Sequence, residues 1–159
     1  MTVKLARIDQ RLIHGIIVNQ WAKTLNITRF MVIDDEISQN EEVKAGMRLA
    51  KPRGTGMSII NTKTAIENFS IGKYDNQEVL ILVKEPSVIL RLIKGGVSIK
   101  LLNLGIIFNN DNREPITKFV ALNNEERSDL TKIQNSGTRI KIQYLPDSAN
   151  IPYKGELTE

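Results

Sequence analysis

The feature that most constrains the fold is a repeated alternation of short apolar runs with stretches of helical period. Buried strands are predicted over residues 3–8, 30–33, 57–60, 79–83, 99–104 and 139–145. Helices are predicted between them over about 15–25, 38–50, 62–69, 86–94 and 123–135. This alternation indicates an α/β fold with a mostly parallel central sheet and helices on both faces. Ligands of such sheets bind beyond the carboxyl ends of the strands, which favours the loop at residues 9–15.

Local signals predict where several of these elements begin and end. Residues 38–41 have the form of a capping box at the start of the second helix, and Asn123 with Glu126 has the same form at the last helix. Gly105 is expected to close the strand at 99–104, and residues 116–120 are expected to form a short extended segment. The length of 159 residues suits one domain over residues 1–159, with an irregular, proline-containing tail from about residue 146.

The amino-acid composition excludes several kinds of functional site. The chain has no cysteine and a single histidine, His14, so disulfides, thiolate sites and sites built from several imidazoles are excluded. The net charge of +4 comes without a run of five basic residues, and no nucleic-acid partner is expected. No apolar run is long enough to span a bilayer, and the N-terminal residues do not resemble a signal peptide. The expected location is the cytoplasm.

Residues 7–15 concentrate the groups that could carry chemistry. Arg7, Asp9, Arg11 and His14 place two guanidinium groups, a carboxylate and the only imidazole between a strand and a helix. An imidazole can be unprotonated near neutral pH, and arginine forks bind the oxygens of a phosphoryl group. Asp9 would repel phosphate but could orient an arginine or the imidazole. From these residues alone, a phosphate site and a structural histidine beside a solvated Asp9–Arg11 ion pair remain equally open.

The backbone of the same segment could add donors to a phosphate site. The N–H groups at a helix start bind anions, and Gly15 would let the backbone approach one closely. The predicted phosphate loop therefore includes the backbone of Leu12, Ile13 and Gly15. The acidic residues 34–36 could instead suggest a metal site, but a solvated loop is the preferred interpretation, and no metal is expected.

The segment Arg-Ile-Asp-x-Arg-Leu-Ile-His-Gly at residues 7–15, followed by Trp21, resembles the signature of the IIB subunits of the mannose/fructose/sorbose family of sugar phosphotransferase systems. Weaker similarities cover nearly the whole chain, at residues 34–35, 44–52, 83–84, 103–105 and 116–118. One position departs from the family pattern, because Ile16 stands where glutamine is common.

The resemblance implies a cytoplasmic α/β phosphocarrier without cofactor or metal. His14 would accept a phosphoryl group through Nδ1 from a phosphohistidine of a IIA partner. It would then pass the group to a sugar presented by the membrane subunits IIC and IID. Arg7 and Arg11 match family positions that hold the phosphoryl group, and Asp9 matches the acidic position between them.

The resemblance further implies a stand-alone subunit that associates peripherally with the membrane subunits and forms a homodimer. One function of another class remains open from the sequence. In it, a non-catalytic α/β domain would bind a phosphorylated metabolite at residues 7–15 without reacting.

Overall fold

The computed structural model describes residues 2–153, except for the side chains of Ile16 and Ile17. The strands are β1 (Val3–Asp9), β2 (Arg29–Ile33), β3 (Gly56–Ile60), β4 (Val79–Val83), β5 (Leu101–Ile106), β6 (Glu114–Pro115), β7 (Ala121–Leu122), β8 (Arg139–Ile142) and β9 (Ile151–Pro152). The helices are α1 (Gly15–Leu25), α2 (Glu41–Leu49), α3 (Thr62–Ser70), α4 (Pro86–Lys94) and α5 (Asn124–Asn135), with a 3₁₀ turn at Ile37–Gln39.

Seven strands form one sheet in the order β3-β2-β4-β1-β5-β8-β9. All neighbouring strands in this sheet are parallel except β8 and β9, which confirms the predicted mostly parallel α/β fold. β1 is the central strand, and its Arg7 pairs with Leu82 of β4 and Asn103 of β5. The loop that follows β1 therefore leaves the middle of the carboxyl edge of the sheet, where such folds bind their ligands.

The core has two layers, one on each face of the sheet. Successive strand residues point to opposite faces, and helices cover both, which explains why the strands appear as continuous apolar runs. One layer joins α1 to the sheet through Val18, Trp21, Ala22, Phe30, Val32, Leu80 and Leu82. The other joins α3, α4 and α5 to it through Ala65, Ile89, Leu92, Leu130, Ile133, Met31, Ile33 and Ile81.

The helix starts show one correct and one wrong capping prediction. Asn123 and Glu126 exchange both bonds of a capping box at the start of α5, as predicted. The box predicted at residues 38–41 is wrong, because α2 is capped by Asn40, whose Oδ1 accepts from the N–H of Val43. Asp34 accepts the N–H groups of Glu36 and Ile37, and the chain turns through a 3₁₀ segment before α2 begins.

Several further boundaries differ from the sequence prediction. β5 begins at Leu101 rather than at residue 99, and β8 ends at Ile142 rather than at residue 145. β5 continues through Gly105 to Ile106. Residues 116–119 bend, because the N–H groups of Ile116 and Thr117 both bond to the carbonyl of Val120. The tail contains β9, which pairs antiparallel with β8 and is followed by the buried Tyr153. Between residues 2 and 153, no helix has the length and apolarity that a membrane span requires.

The corrected start of α2 can be tested by alanine substitution. Asn40→Ala removes the capping acceptor and should lower the free energy of unfolding by about 1 kcal/mol. Ser38→Ala removes only an exposed bond to the carbonyl of Asp35 and should change it by less than about 0.5 kcal/mol. Urea denaturation of both variants measures the difference, and a larger effect at Ser38 would contradict the assignment.

Candidate functional site

The site loop, residues 10–14, is anchored at both ends and leaves His14 exposed. At its start, the N–H of Leu12 bonds to the carbonyl of Asp9 over 2.8 Å, and Leu12 adopts a left-handed backbone with φ of 56°. That conformation is unfavourable for leucine, and burial of the Leu12 side chain in the core beneath α1 holds it. At its end, the carbonyl of His14 accepts the first helical bond of α1, from Val18 over 2.9 Å.

His14 is the N-cap residue of α1, with an extended backbone and an exposed side chain. Among the described residues, its imidazole makes no capping bond to the helix. The first N–H groups of any α-helix lack intrahelical acceptors, and the helix dipole adds positive potential there. The first turn of α1 contains no acidic side chain to oppose an anion. An exposed nucleophile thus stands at a place that favours negative charge.

Asp9 is fully buried and orients Arg11. Its Oδ1 accepts from the backbone N–H and the Nε of Arg11 at 3.0 and 3.2 Å, and its Oδ2 accepts from Nη2 at 3.1 Å. Partial burial lowers the pKa of the Arg11 guanidinium, but the hydrogen bonds and charge of Asp9 outweigh this and leave the pKa above its usual value. Arg11 therefore stays charged, and its Nη1 edge points away from the carboxylate.

Arg7 is also fully buried, and its guanidinium faces the protein. Nη1 donates to the carbonyl of Gln143 at 2.8 Å and to Asn103 Oδ1 at 3.3 Å, and Nη2 donates to the carbonyl of Tyr144 at 2.7 Å. Nη2 also lies 3.4 Å from Asp9 Oδ2. Burial lowers the pKa of Arg7 to about 10 against the opposing charge of Asp9, so the group is protonated at neutral pH. This placement differs from the expected one, in which Arg7 faces the phosphoryl group.

Gly105 makes room for the buried guanidinium. A Cβ atom at this position would lie 2.3 Å from both Cζ and Nη2 of Arg7, closer than any real contact. This close approach accounts for a glycine inside β5, which sequence reasoning had assigned to the strand end. The pairing of Arg7 with Asn103 places Gly105 on the same face, two residues further along β5.

Tyr144 belongs to the site, although no pattern in the sequence singled it out. Its carbonyl accepts from Trp21 Nε1 at 3.2 Å in addition to Arg7, and its ring centroid lies 5.5 Å from Cζ of Arg11. Trp21 is buried, and its ring centroid lies 5.3 Å from Cζ of Arg7. Tyr144 thus contacts both arginine groups from a loop more than 130 residues away in the sequence.

The remaining predicted positions are placed as follows. Gly15 begins α1, and a Cβ atom there would meet nothing within 4 Å, so packing does not require a glycine. The side chain of Ile16 lies outside the described residues. Asp34 bonds to backbone N–H groups, while Asp35 accepts from Thr62 and pairs with Arg91. The bond from the Thr62 N–H lowers the pKa of Asp35. The described residues contain no cluster of three or more potential metal ligands of the His, Cys, Asp and Glu types.

This geometry suits the transfer of an anionic group to and from the imidazole. An exposed nucleophile, an oriented guanidinium and a helix N-terminus converge at the carboxyl edge of the sheet. The buried Arg7–Asp9 pair holds the arrangement from below. Such a site can hold negative charge without a large rearrangement during reaction.

Comparison with known proteins gives consistent matches along the chain. Residues 3–158 match the family described as PTS system sorbose subfamily IIB component. The PTS system fructose-specific EIIB component of Bacillus subtilis is 30% identical over 150 residues, covering 94% of this chain and 92% of that protein. The mannose-specific EIIAB component of Escherichia coli is 27% identical over 143 residues, covering 90% of this chain and 44% of that protein.

The fold matches a solved structure of similar description. The crystal structure of the IIBSor domain of the sorbose permease from Klebsiella pneumoniae superposes with a TM-score of 0.91 at 25% identity. The match covers 96% of this chain and 93% of that one.

The close approach of Gly105 to Arg7 predicts that a side chain at residue 105 destabilises the protein. Gly105→Ala should lower the free energy of unfolding by about 1–3 kcal/mol, because the added methyl displaces the Arg7 guanidinium. Gly46→Ala is the matched control: it lies in α2 with open space around it and should be neutral or stabilising by up to about 1 kcal/mol. Urea denaturation measures both, and equal effects would show that Gly105 is not needed for Arg7.

Proposed function

The chain belongs to the sorbose subfamily of IIB components of sugar phosphotransferase systems, and we propose on that premise that His14 carries its phosphoryl group. A IIB component is a phosphocarrier subunit and acts as a phosphotransferase towards a sugar. The observation that supports His14 is its position as the exposed N-cap residue of α1, three residues after the oriented Arg11 in the chain. It is also the only histidine in the chain, which has no cysteine to serve instead.

Two transfers follow at the same nitrogen. In the first, neutral Nδ1 of His14 attacks the phosphorus of a phosphohistidine on IIA. A new N–P bond forms, the donor N–P bond breaks, and the donor imidazole leaves with the electron pair. In the second, a sugar hydroxyl oxygen attacks the phosphorus and an O–P bond forms. The Nδ1–P bond of His14 breaks, its electron pair returns to Nδ1, and the hydroxyl proton passes to solvent. Both steps require an imidazole that is open to its partner.

We assign different tasks to the two arginines. Arg11 contacts the phosphoryl oxygens through its Nη1 edge, since Asp9 occupies Nε and Nη2. Arg7 is a positioning residue, because its donors are directed to Asp9, Asn103 and the carbonyls of residues 143 and 144. The backbone of Leu12, Ile13 and Gly15 completes the phosphate loop. Asp9 connects the two arginines, so that the buried Arg7 fixes the partly buried Arg11.

The partners follow from the family. A IIB component interacts with a IIA phosphocarrier, a membrane IIC component and a sugar. We propose that a IID subunit also takes part, that the chain works in the cytoplasm at the membrane subunits, and that it forms a homodimer. The relative named mannose-specific EIIAB component supports the IIA partner, because its name joins an A and a B component in one chain.

The other function considered is a non-catalytic domain that holds a phosphorylated metabolite. No observation favours this alternative, and it does not explain why the imidazole of His14 is exposed. We propose that the carrier is a single domain over residues 1–159. This is supported by the one sheet that joins strands from Val3 to Pro152.

The carrier assignment predicts one phosphoryl group per chain. Incubation with a phosphorylated IIA protein should label the protein through a bond that is labile to acid and stable to base. His14→Ala should abolish the label without loss of stability, because the side chain is exposed. Gln20→Ala, at an exposed position on the same helix, is the control and should label normally. Label that persists in His14→Ala would contradict the assignment.

The assignment of Arg11 predicts that Arg11→Lys lowers the rate of phosphoryl transfer, although the positive charge is kept. Lysine is a point charge and cannot bind Asp9 and a phosphoryl group through a planar fork. Losing one charge-assisted bond of about 1.5–3 kcal/mol should slow transfer within the complex about 10- to 100-fold. Arg29→Lys is the matched control, because Arg29 bonds to Gln77 and Ser58 at the opposite edge of the sheet. Rapid-quench kinetics measures the rates, and an unchanged rate in Arg11→Lys would make Arg11 only structural.

A further inference from the structure

Two exposed phenylalanines lie beside the site loop and form what we call the aromatic rim, Phe108 and Phe119. Their exposed fractions are 53% and 36%. A single exposed apolar residue is ordinary and needs no explanation. These two differ because each is held by a residue of the site, so their exposure is fixed by the fold.

Phe108 is held through its backbone. Its N–H donates to Gln10 Oε1 at 2.9 Å, and its carbonyl accepts from Arg113 Nη1 at 2.9 Å. Gln10 belongs to the site loop, and its own N–H bonds to the carbonyl of Ile106 at 2.9 Å. Arg113 is in turn fixed by two hydrogen bonds to the buried Glu126, from Nε to Oε1 and from Nη2 to Oε2. The loop that carries Phe108 is thus bonded to the loop that carries His14.

Phe119 is held through its ring. It stacks on Tyr144 with centroids 4.3 Å apart and planes inclined by 10°, and Tyr144 in turn lies against Arg11. The Phe119 carbonyl accepts from the N–H of Ile107 at 3.0 Å, which ties it to the end of β5. Phe119 is therefore connected to the site through Tyr144.

Cavities open beside both phenylalanines. One, of about 480 Å³, is lined by Phe108 and Phe119, and another, of about 290 Å³, is lined by Phe119 and Tyr144. Lys118 borders both and is the only charged side chain among the described residues that line them. Its Nζ lies 5.5 Å from the centroid of the Phe119 ring. The rim is an apolar surface with recesses and a positive charge.

We propose that the aromatic rim binds the donor phosphoprotein, by burying apolar surface beside the donor's phosphohistidine. This inference rests on the proposed carrier function. Aromatic side chains that are already held in place make strong anchors, because little conformational entropy is lost on binding. The rim is continuous with the site through Gln10 and Tyr144, which places apolar surface next to the residues that surround His14 in the sequence.

Charge favours the donor over the membrane acceptor as the occupant. The donor brings a phosphoryl group with up to two negative charges, which Arg11 and Lys118 attract. When the acceptor is reached, the phosphoryl group is already on His14 and offsets this positive charge, and the sugar hydroxyl that attacks it is uncharged. A basic and apolar surface therefore complements the first partner better than the second.

The test separates binding of the donor from transfer. Transfer from a phosphorylated IIA protein is followed by rapid quench over a range of donor concentrations for Phe108→Ala, Phe119→Ala and the wild type. Each substitution should raise the donor KM about tenfold, as expected of an anchor residue, and leave the saturated rate within about twofold. Ile71→Ala is the matched control, because Ile71 is 76% exposed and follows α3 at the opposite edge of the sheet. It should behave like the wild type.

Three outcomes would overturn the proposal. An unchanged donor KM in both variants would reject the aromatic rim as the binding surface for the donor, while leaving His14 as the carrier. In a second arm, each protein is phosphorylated beforehand and mixed with sugar and membrane vesicles that contain the IIC and IID subunits. Slower sugar phosphorylation with an unchanged donor KM would assign the rim to the acceptor instead. Absence of any label on the wild-type protein would reject the carrier function itself, and the rim proposal with it.

Discussion

The buried guanidinium of Arg7 is the group on which the site depends. A charge removed from water costs several kcal/mol unless it is paired and fully hydrogen-bonded. Arg7 largely meets this condition, because its two terminal nitrogens are paired with Asp9, Asn103 and two backbone carbonyls after β8, and Trp21 covers its face. Its Nε is buried without a hydrogen-bond partner among the described residues. These partners come from β1, β5, α1 and the segment after β8. The central strands and one covering helix are therefore fixed relative to one another by a single cation.

Two chains of contacts lead outward from Arg7 to the surface. One passes through Asp9 to Arg11 and sets the direction of a guanidinium beside His14. The other passes through the carbonyl of Tyr144 to the Tyr144 ring and then to Phe119. The group that positions the guanidinium of Arg11 thus also positions the aromatic surface beside it. Preorganisation of this kind avoids the cost of arranging charges during each transfer.

Most of the fold and part of the site could be predicted because the signals are local. The buried strand at Val79–Val83 and the helix at Gly15–Leu25 were predicted at their observed bounds, from an apolar run and from helical spacing. Residues 7–15 are contiguous, so their chemistry was visible. The cap at Ser38 failed because Asp34 bonds to the preceding turn. Gly105, Tyr144 and Phe119 were missed because they meet the site only in the folded chain, up to 137 positions from Arg7.

The short antiparallel strand β9 has a consequence for the behaviour of the protein at high concentration. An open row of N–H and C=O groups at a sheet edge is a template on which other chains can stack. β9 covers that row on β8. Its own outer edge consists only of Ile151 and Pro152, and proline has no N–H to donate to a further strand. This edge of the sheet is thereby protected against aggregation by strand addition. The tail, which the sequence analysis predicts to be irregular, thus covers the open edge of β8.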